Sequence, residues 1–113
     1  MPIMNNQVAG HAFLRPMYDD AYFPDRVVAL GEAILLGLCA RVEAERPSDL
    51  PSLYALTRAA TEEFNVLEEE FVAAGSEIET VARESICEEF SFVASAYGFP
   101  GADAEQLTAG RDW

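Results

Sequence analysis

The fold of this chain is decided by the stretch from Val27 to Ala40, which has the sequence VVALGEAILLGLCA. Glu32 is its single charged side chain, although the whole chain contains 20 acidic residues. Such a stretch predicts a helix that is apolar on nearly every side, and water does not tolerate two exposed apolar faces. We therefore expect this helix either at the centre of a helical bundle or with its second face buried against another chain.

The residues around this stretch predict a long helix with two buried faces. Asp25, just after Pro24, is the expected N-cap, and Arg46-Pro47 ends the helix after about Glu45. The apolar side chains form two adjacent stripes, Val27, Leu30, Ile34, Leu38 and Val42 in one and Val28, Leu35 and Cys39 in the other.

A second long helix is predicted after Asp49, an N-cap residue that is followed by Pro51 in the first turn. Its apolar residues recur at intervals of three and four, which is typical of an amphipathic helix. These residues are Leu53, Leu56, Ala60, Phe64, Leu67 and Phe71.

A third long helix is predicted to follow almost at once. Gly75 suits the left-handed end of a helix, and Ser76 with Glu79 matches a capping box. The short link favours an antiparallel hairpin of the second and third helices as a principal structural unit. The apolar side chains of this helix are expected to point inward, and its glutamates mostly outward. The inward residues are Ile78, Val81, Ala82, Ile86, Phe90, Val93 and Tyr97. The mostly outward residues are Glu77, Glu84, Glu88 and Glu89.

Short segments flank the three long helices. Five large side chains crowd together before the first long helix, namely Phe13, Met17, Tyr18, Tyr22 and Phe23. This segment is expected to pack across the bundle as one or two helical turns. A short helix is expected after Asp103, and Trp113 is expected to dock on the bundle. The sequence thus predicts an all-α fold in a single domain of residues 1–113, a small bundle of three long helices with short N- and C-terminal helical segments.

The charge of the chain excludes several functions. The net charge is −13, and all seven basic residues are arginines. Without lysine the chain cannot form a Schiff base or a Walker-type phosphate loop. The negative charge argues against nucleic acid and anionic membranes as partners, and it would attract a protein with a basic surface.

The sequence predicts a cytoplasmic protein. Residues Met1 to Gly10 lack the basic and apolar regions of a secretory signal, and no apolar run approaches the roughly 20 residues that cross a bilayer. Cys39 and Cys87 lie within helical patterns, where we expect reduced thiols rather than a disulfide.

No set of residues predicts catalysis, a cofactor or a metal site. A carboxylate-bridged metal centre in a helical bundle needs Glu-x-x-His motifs, whereas the single histidine, His11, follows Val8 at that spacing. Burial of Cys39 in the most apolar helix would quench its reactivity as a nucleophile. We therefore expect His11 to have a structural role.

Several polar and aromatic side chains are candidates for an interaction surface. The segment Met17–Pro24 mixes aromatic rings with two carboxylates, a composition that suits either core packing or recognition. The candidate residues are Tyr18, Asp19, Asp20, Tyr22, Glu32, Arg111 and Trp113.

Five blocks of the sequence together resemble a bacterial family catalogued as domain of unknown function 5713. The resemblance covers essentially the whole chain, and it implies a small, soluble, helical protein without an assigned activity. It therefore carries no catalytic residues over to this chain. The blocks are His11–Pro24, Leu53–Thr61, Gly75–Glu84, Ala96–Phe99 and Arg111–Trp113.

Two classes of function fit the sequence. The first is a non-enzymatic interaction module, in its most specific form an immunity-like or antitoxin-like protein that masks a basic partner. The second is a small-molecule-binding protein or enzyme with a pocket lined by arginine and by Tyr18, Tyr22, Tyr54 and Tyr97.

The Val27–Ala40 stretch also favours a symmetric homodimer. Leu35 and Leu36 add apolar surface, while Gly31 and Gly37 permit close helix approach. Glu32 would then lie near the edge of the dimer interface.

Overall fold

Three long helices form the core of the structure, a computed structural model that describes residues 3–113. They are α3 (Asp25–Glu45), α4 (Leu50–Ala73) and α5 (Thr80–Ala96). Two short helices precede them, α1 (Asn6–Ala9) and α2 (Arg15–Tyr18), and α6 (Ala104–Leu107) follows them. No strand occurs within residues 3–113, and the predicted all-α bundle is confirmed.

The described residues pack around one apolar core. Their radius of gyration is 13.4 Å, close to the roughly 13 Å of a single domain of about 100 residues. That residues 1–113 form a single domain stays a prediction. The interpretation of Met1–Gly10 as lacking the features of a secretory signal also stays a prediction, and residues 1 and 2 of this range lie outside the described part. No described helix has the length and hydropathy needed to span a membrane.

The ends of α4 follow the sequence signals. Asp49 caps its start by accepting the Ser52 N–H at 2.9 Å. At its end Gly75 has a φ of +85°, and the Ser76 N–H donates to the Phe71 carbonyl at 2.8 Å, which together form a Schellman motif. Both predicted caps of α4 are confirmed.

Two other predicted helix starts are wrong. Pro24 is the N-cap of α3, and Asp25 is its first helical residue. The capping box before α5 does not form, because α5 begins only at Thr80 and the buried Ser76 hydroxyl makes no hydrogen bond within residues 3–113. The backbone from Ser76 to Glu79 is irregular, so the link between α4 and α5 is longer than predicted.

The backbones of α3 and α4 approach each other most closely, so the hairpin of α4 and α5 is not the main unit. Gly31 of α3 makes this approach possible, because a Cβ at this position would lie 3.1 Å from Leu14 Cδ1 and 3.2 Å from Phe64 Cε1. In contrast, α4 meets α5 through large side chains, with the rings of Phe64 and Phe90 5.9 Å apart. Rings of this size keep two helix backbones apart.

Helix α3 buries one broad face rather than two. Leu30, which the sequence placed in a buried stripe, is 47% exposed, and Ile34 of the same stripe is only half-buried. Leu14 of the segment that precedes α3 packs at Gly31 on this buried face, and Phe13 and Met17 beside it are also buried. The buried residues of α3 are Val27, Val28, Gly31, Leu35, Leu38, Cys39 and Val42.

We predict opposite effects for the same substitution at the two glycines of α3. Gly31→Ala forces a methyl group against Leu14 and Phe64, and overpacking outweighs the gain in helix propensity, so stability falls by about 1 kcal/mol. Gly37→Ala projects into open space and gains up to about 1 kcal/mol from propensity alone. Urea unfolding of both variants measures the difference, and equal shifts would contradict the close approach at Gly31.

Candidate functional site

Two glutamates hold the N-terminal segment, residues 3–24, against the long helices. Glu43 of α3 accepts the backbone N–H groups of Met4 at 2.8 Å and Asn5 at 3.0 Å. It also accepts the Tyr97 hydroxyl at 2.5 Å. These hydrogen bonds, that of Tyr97 first, lower the pKa of Glu43.

The second glutamate, Glu89 of α5, is 8% exposed and accepts the Leu14 N–H at 2.6 Å. Its other oxygen lies 2.8 Å from His11 Nε2. The His11 ring stacks on Phe92 with 4.0 Å between centroids, so the histidine has the structural surroundings that we expected. Leu14 has a φ of +60°, and Glu89 satisfies its buried N–H in this strained turn.

The expected outward orientation of Glu89 is therefore wrong. The sequence did contain a signal, since Glu89 lies three residues after Ile86 and four before Val93, which are both buried. This spacing puts Glu89 on the inward face of α5. The buried N–H that recruits it belongs to Leu14, a distant residue, and no local pattern shows that contact.

Tyr18 and Glu32, two of the candidate interaction residues, are joined by a hydrogen bond. The Tyr18 hydroxyl donates to Glu32 Oε1 at 2.7 Å, and both side chains are half-buried. Burial and the neighbouring carboxylate raise the pKa of Tyr18 to about 12. This pair joins the N-terminal segment to α3.

Three further candidates, Asp19, Asp20 and Tyr22, follow Tyr18 closely in the chain. Asp20 accepts the Tyr22 N–H at 2.9 Å, which forms a local turn. Asp19 is exposed, with Arg15 Nε 3.8 Å away. Tyr22 is exposed and meets the Phe23 ring edge-on at 5.0 Å. Asp19 and Tyr22 are thus the accessible members of this group.

Trp113 lies against α4, and Arg111 contacts Trp113. Trp113 is 6% exposed and packs on Phe64, with 6.1 Å between ring centroids, so its predicted docking is confirmed. Arg111 donates to the Trp113 carbonyl at 2.6 Å and lies 5.5 Å from its ring. The indole ring is part of the core and offers no surface to a partner.

The four tyrosines of the alternative pocket do not share one cavity in the described part of the chain. Tyr18 binds Glu32, Tyr97 binds Glu43, and the Tyr54 hydroxyl accepts the Asp103 N–H at 3.0 Å beside α6. Tyr22 is exposed. Tyr18, Tyr54 and Tyr97 instead each fix a different segment to the bundle.

Two of the open concavities of the structure border α3 and are considered as candidate sites. The first, here called the acid-rimmed groove, has a volume of about 370 Å³ between α3 and α4. Its lining is Leu30, Ile34, Val66, Leu67, Glu63 and Glu70. The second, here called the Arg46 cleft, has a volume of about 450 Å³ at the end of α3. Its lining is Met4, Asn5, Val42, Glu43, Arg46, Pro47, Tyr97 and Phe99.

The cysteines and acids do not form a reactive centre within residues 3–113. Both thiols are free, Cys39 is buried and Cys87 is half-buried. Burial raises the pKa of Cys39 to about 12 and also raises that of Cys87, although Arg111 and Thr108 oppose the second shift. No three potential ligands among His, Cys, Asp and Glu lie close enough to hold a metal ion in the described part.

These features define a small all-α protein with one candidate concavity along its long helix α3 and another at the C-terminal end of that helix. The chain belongs to DUF5713, a family of unknown function whose model matches residues 7–113. The resemblance found in the sequence is confirmed. No curated protein and no solved structure matched the chain.

We predict that Glu89→Ala lowers the free energy of unfolding by about 2 kcal/mol, because it leaves the buried Leu14 N–H without an acceptor. Glu88→Ala, on the exposed side of α5, is the matched control and should change stability by less than about 0.5 kcal/mol. Urea unfolding measures both variants. Equal stabilities would show that Glu89 does not hold the N-terminal segment.

We predict that Cys39 resists alkylation in the folded protein. A thiol whose pKa is raised from 9.0 to about 12 remains protonated at pH 8, and its thiolate fraction falls on the order of a thousandfold. Iodoacetamide at this pH should modify the half-buried Cys87 first, and both cysteines at similar rates in urea. Mass spectrometry of the digested protein gives the two rates, and fast native labelling of Cys39 would refute its burial.

Proposed function

We propose that this protein is a non-enzymatic, acidic helical interaction module that binds a partner with a basic surface through the acid-rimmed groove. The single observation that carries the proposal is the exposed apolar surface between two carboxylates. Val66 is 65% exposed and Leu30 is 47% exposed, and the charged side chains of the groove are Glu63 and Glu70.

The apolar part of the groove supplies the contact energy for such a partner. Leu30 and Ile34 lie one turn apart on α3, and Val66 faces them from α4. Covering the exposed part of each side chain contributes about 1 kcal/mol through the hydrophobic effect. A partner helix with apolar residues spaced by three or four would match this arrangement.

The charges of the groove select the partner. Glu63 and Glu70 would meet lysine or arginine at the border of the apolar contact, and the net charge of −13 would steer a basic protein toward this surface. A second copy of the chain would instead set these acids against their own counterparts, since a two-fold interface pairs a surface with itself. The groove therefore favours a basic partner over the homodimer.

Masking of a basic protein, as immunity proteins and antitoxins do, is the most specific form of this proposal. The free thiols of Cys39 and Cys87 support a place in the cytoplasm, where such thiols stay reduced. The homodimer favoured by the sequence stays a prediction. Gly31, one of the two glycines invoked for it, is already used for packing within the chain.

The proposal predicts selective binding of an amphipathic basic helix. The probe is a peptide of about 18 residues, five helical turns, made of leucine on one face and lysine elsewhere. A peptide with glutamate in place of lysine has the same pattern and the opposite charge. Calorimetry should detect the basic peptide alone, and raising the salt should weaken its binding.

The groove is tested by the double variant Leu30→Gln, Val66→Gln, which should weaken the basic peptide at least about tenfold. Val72→Gln is the matched control, since Val72 of α4 is 58% exposed and lies outside the groove. Equal loss in both proteins, or none in the double variant, would refute the groove as the site. Light scattering of the free protein gives its mass, and a dimer that the double variant dissociates would assign the groove to a second copy instead.

A further inference from the structure

The Arg46 cleft lies at the C-terminal end of α3 and is separate from the acid-rimmed groove. Arg46 follows the last residue of α3 and has a φ of +50°. Its N–H donates to the Val42 carbonyl at 2.8 Å, which is the bond of a left-handed helix cap. Pro47 disfavours the helical conformation at Arg46, so the chain turns here.

The left-handed conformation makes Arg46 an unusual residue for this position. Glycine takes such a cap without strain, whereas a residue with a Cβ is destabilised by the close approach of its Cβ to the following carbonyl oxygen. Within residues 3–113, the Arg46 side chain makes no hydrogen bond to another residue, so no such bond offsets this cost. The guanidinium is exposed, and no carboxylate among the described residues lies within ion-pair distance of it.

The other charged residue of the cleft, Glu43, is already occupied. Its two oxygens accept the N–H groups of Met4 and Asn5 and the hydroxyl of Tyr97. Glu43 therefore builds the wall of the cleft, and Arg46 is the charged group left to bind a ligand.

Apart from Asn5, whose side-chain amide caps α1 and donates to the Ala96 carbonyl, the remaining walls are apolar. Val42 is buried, Phe99 is half-buried, and Pro47 closes the side next to Arg46. A volume of about 450 Å³ lies within the roughly 300–1,000 Å³ of small-molecule sites. Apart from Glu43, whose carboxylate is engaged by three donors, the cleft presents one cation beside apolar and aromatic walls, which is complementary to an anionic group on an apolar body.

We propose that the Arg46 cleft binds a small organic carboxylate, with its carboxylate on the Arg46 guanidinium and its apolar body against Val42 and Phe99. The planar guanidinium matches a carboxylate with two parallel hydrogen bonds. The net charge of −13 opposes the approach of an anion. This long-range repulsion is screened beyond about 8 Å at physiological salt, so the direct contact decides binding.

Three compounds with one apolar body test the ligand class: 4-phenylbutyrate, 4-phenylbutylamine and 4-phenylbutanol. Titration of the ¹⁵N-labelled protein follows the amide signals of residues around the cleft. The acid should shift the amides of Asn5, Arg46, Tyr97 and Phe99, and the amine and the alcohol should bind at least about tenfold more weakly, which corresponds to about 1.4 kcal/mol.

The side chain is tested by Arg46→Gly, which removes the guanidinium and relieves the left-handed backbone. Its stability should be unchanged or higher, while binding of 4-phenylbutyrate falls at least about tenfold. Arg41→Gln is the matched control, because Arg41 is an exposed arginine of the same helix outside the cleft. It should retain binding.

Four results would overturn the proposal. They are binding of the amine or the alcohol as strong as that of the acid, full binding by Arg46→Gly, equal loss in Arg41→Gln, and the absence of shifts around the cleft at about 10 mM acid, a concentration that corresponds to less than 3 kcal/mol of affinity. Shifts confined to Leu30, Ile34 and Val66 would place the acid in the groove and would also refute the cleft.

Discussion

The close approach of α3 and α4 at Gly31 is the constraint on which the remaining structure depends. Since Gly31 has no side chain, Phe64 of α4 and Leu14 of the N-terminal segment both reach the backbone of α3. The Phe64 ring also packs on Phe90 of α5 and on Trp113. One aromatic side chain thus connects α3, α4, α5 and the C-terminal tail, and it can do so only because the helix opposite leaves room.

Buried and half-buried carboxylates then attach the shorter segments to this core. Glu89 satisfies the N–H of Leu14, Glu43 satisfies those of Met4 and Asn5, and Glu68 accepts the Ile78 N–H at 2.8 Å in the link before α5. An irregular segment has backbone donors without helical partners, and a carboxylate is a strong acceptor for them. Some of the many acids of this chain therefore serve the fold rather than the surface.

The accessible chemistry of the molecule follows from what this packing leaves uncovered. The groove and the cleft both border α3 but differ in charge, with two glutamates beside the groove and an exposed arginine next to the hydrogen-bonded Glu43 at the cleft. The groove suits a basic amphipathic segment, and the cleft suits a small anion with an apolar body.

The sequence by itself determined the three long helices and most of their inward residues, because helix caps and apolar spacing are local signals. Val81 of α5, which the spacing placed inward, is 46% exposed. The start of α4 at Asp49, its end at Gly75 and its buried stripe from Leu53 to Phe71 all follow from such signals. Only the tertiary structure decided which helices pack together, that Glu89 is buried, and that Leu30 remains exposed. These outcomes depend on side chains that are distant in the chain, such as Leu14 and Phe64, and on the space that each leaves for the others. The candidate sites belong to the second group, since a groove or a cleft is the surface that remains after packing.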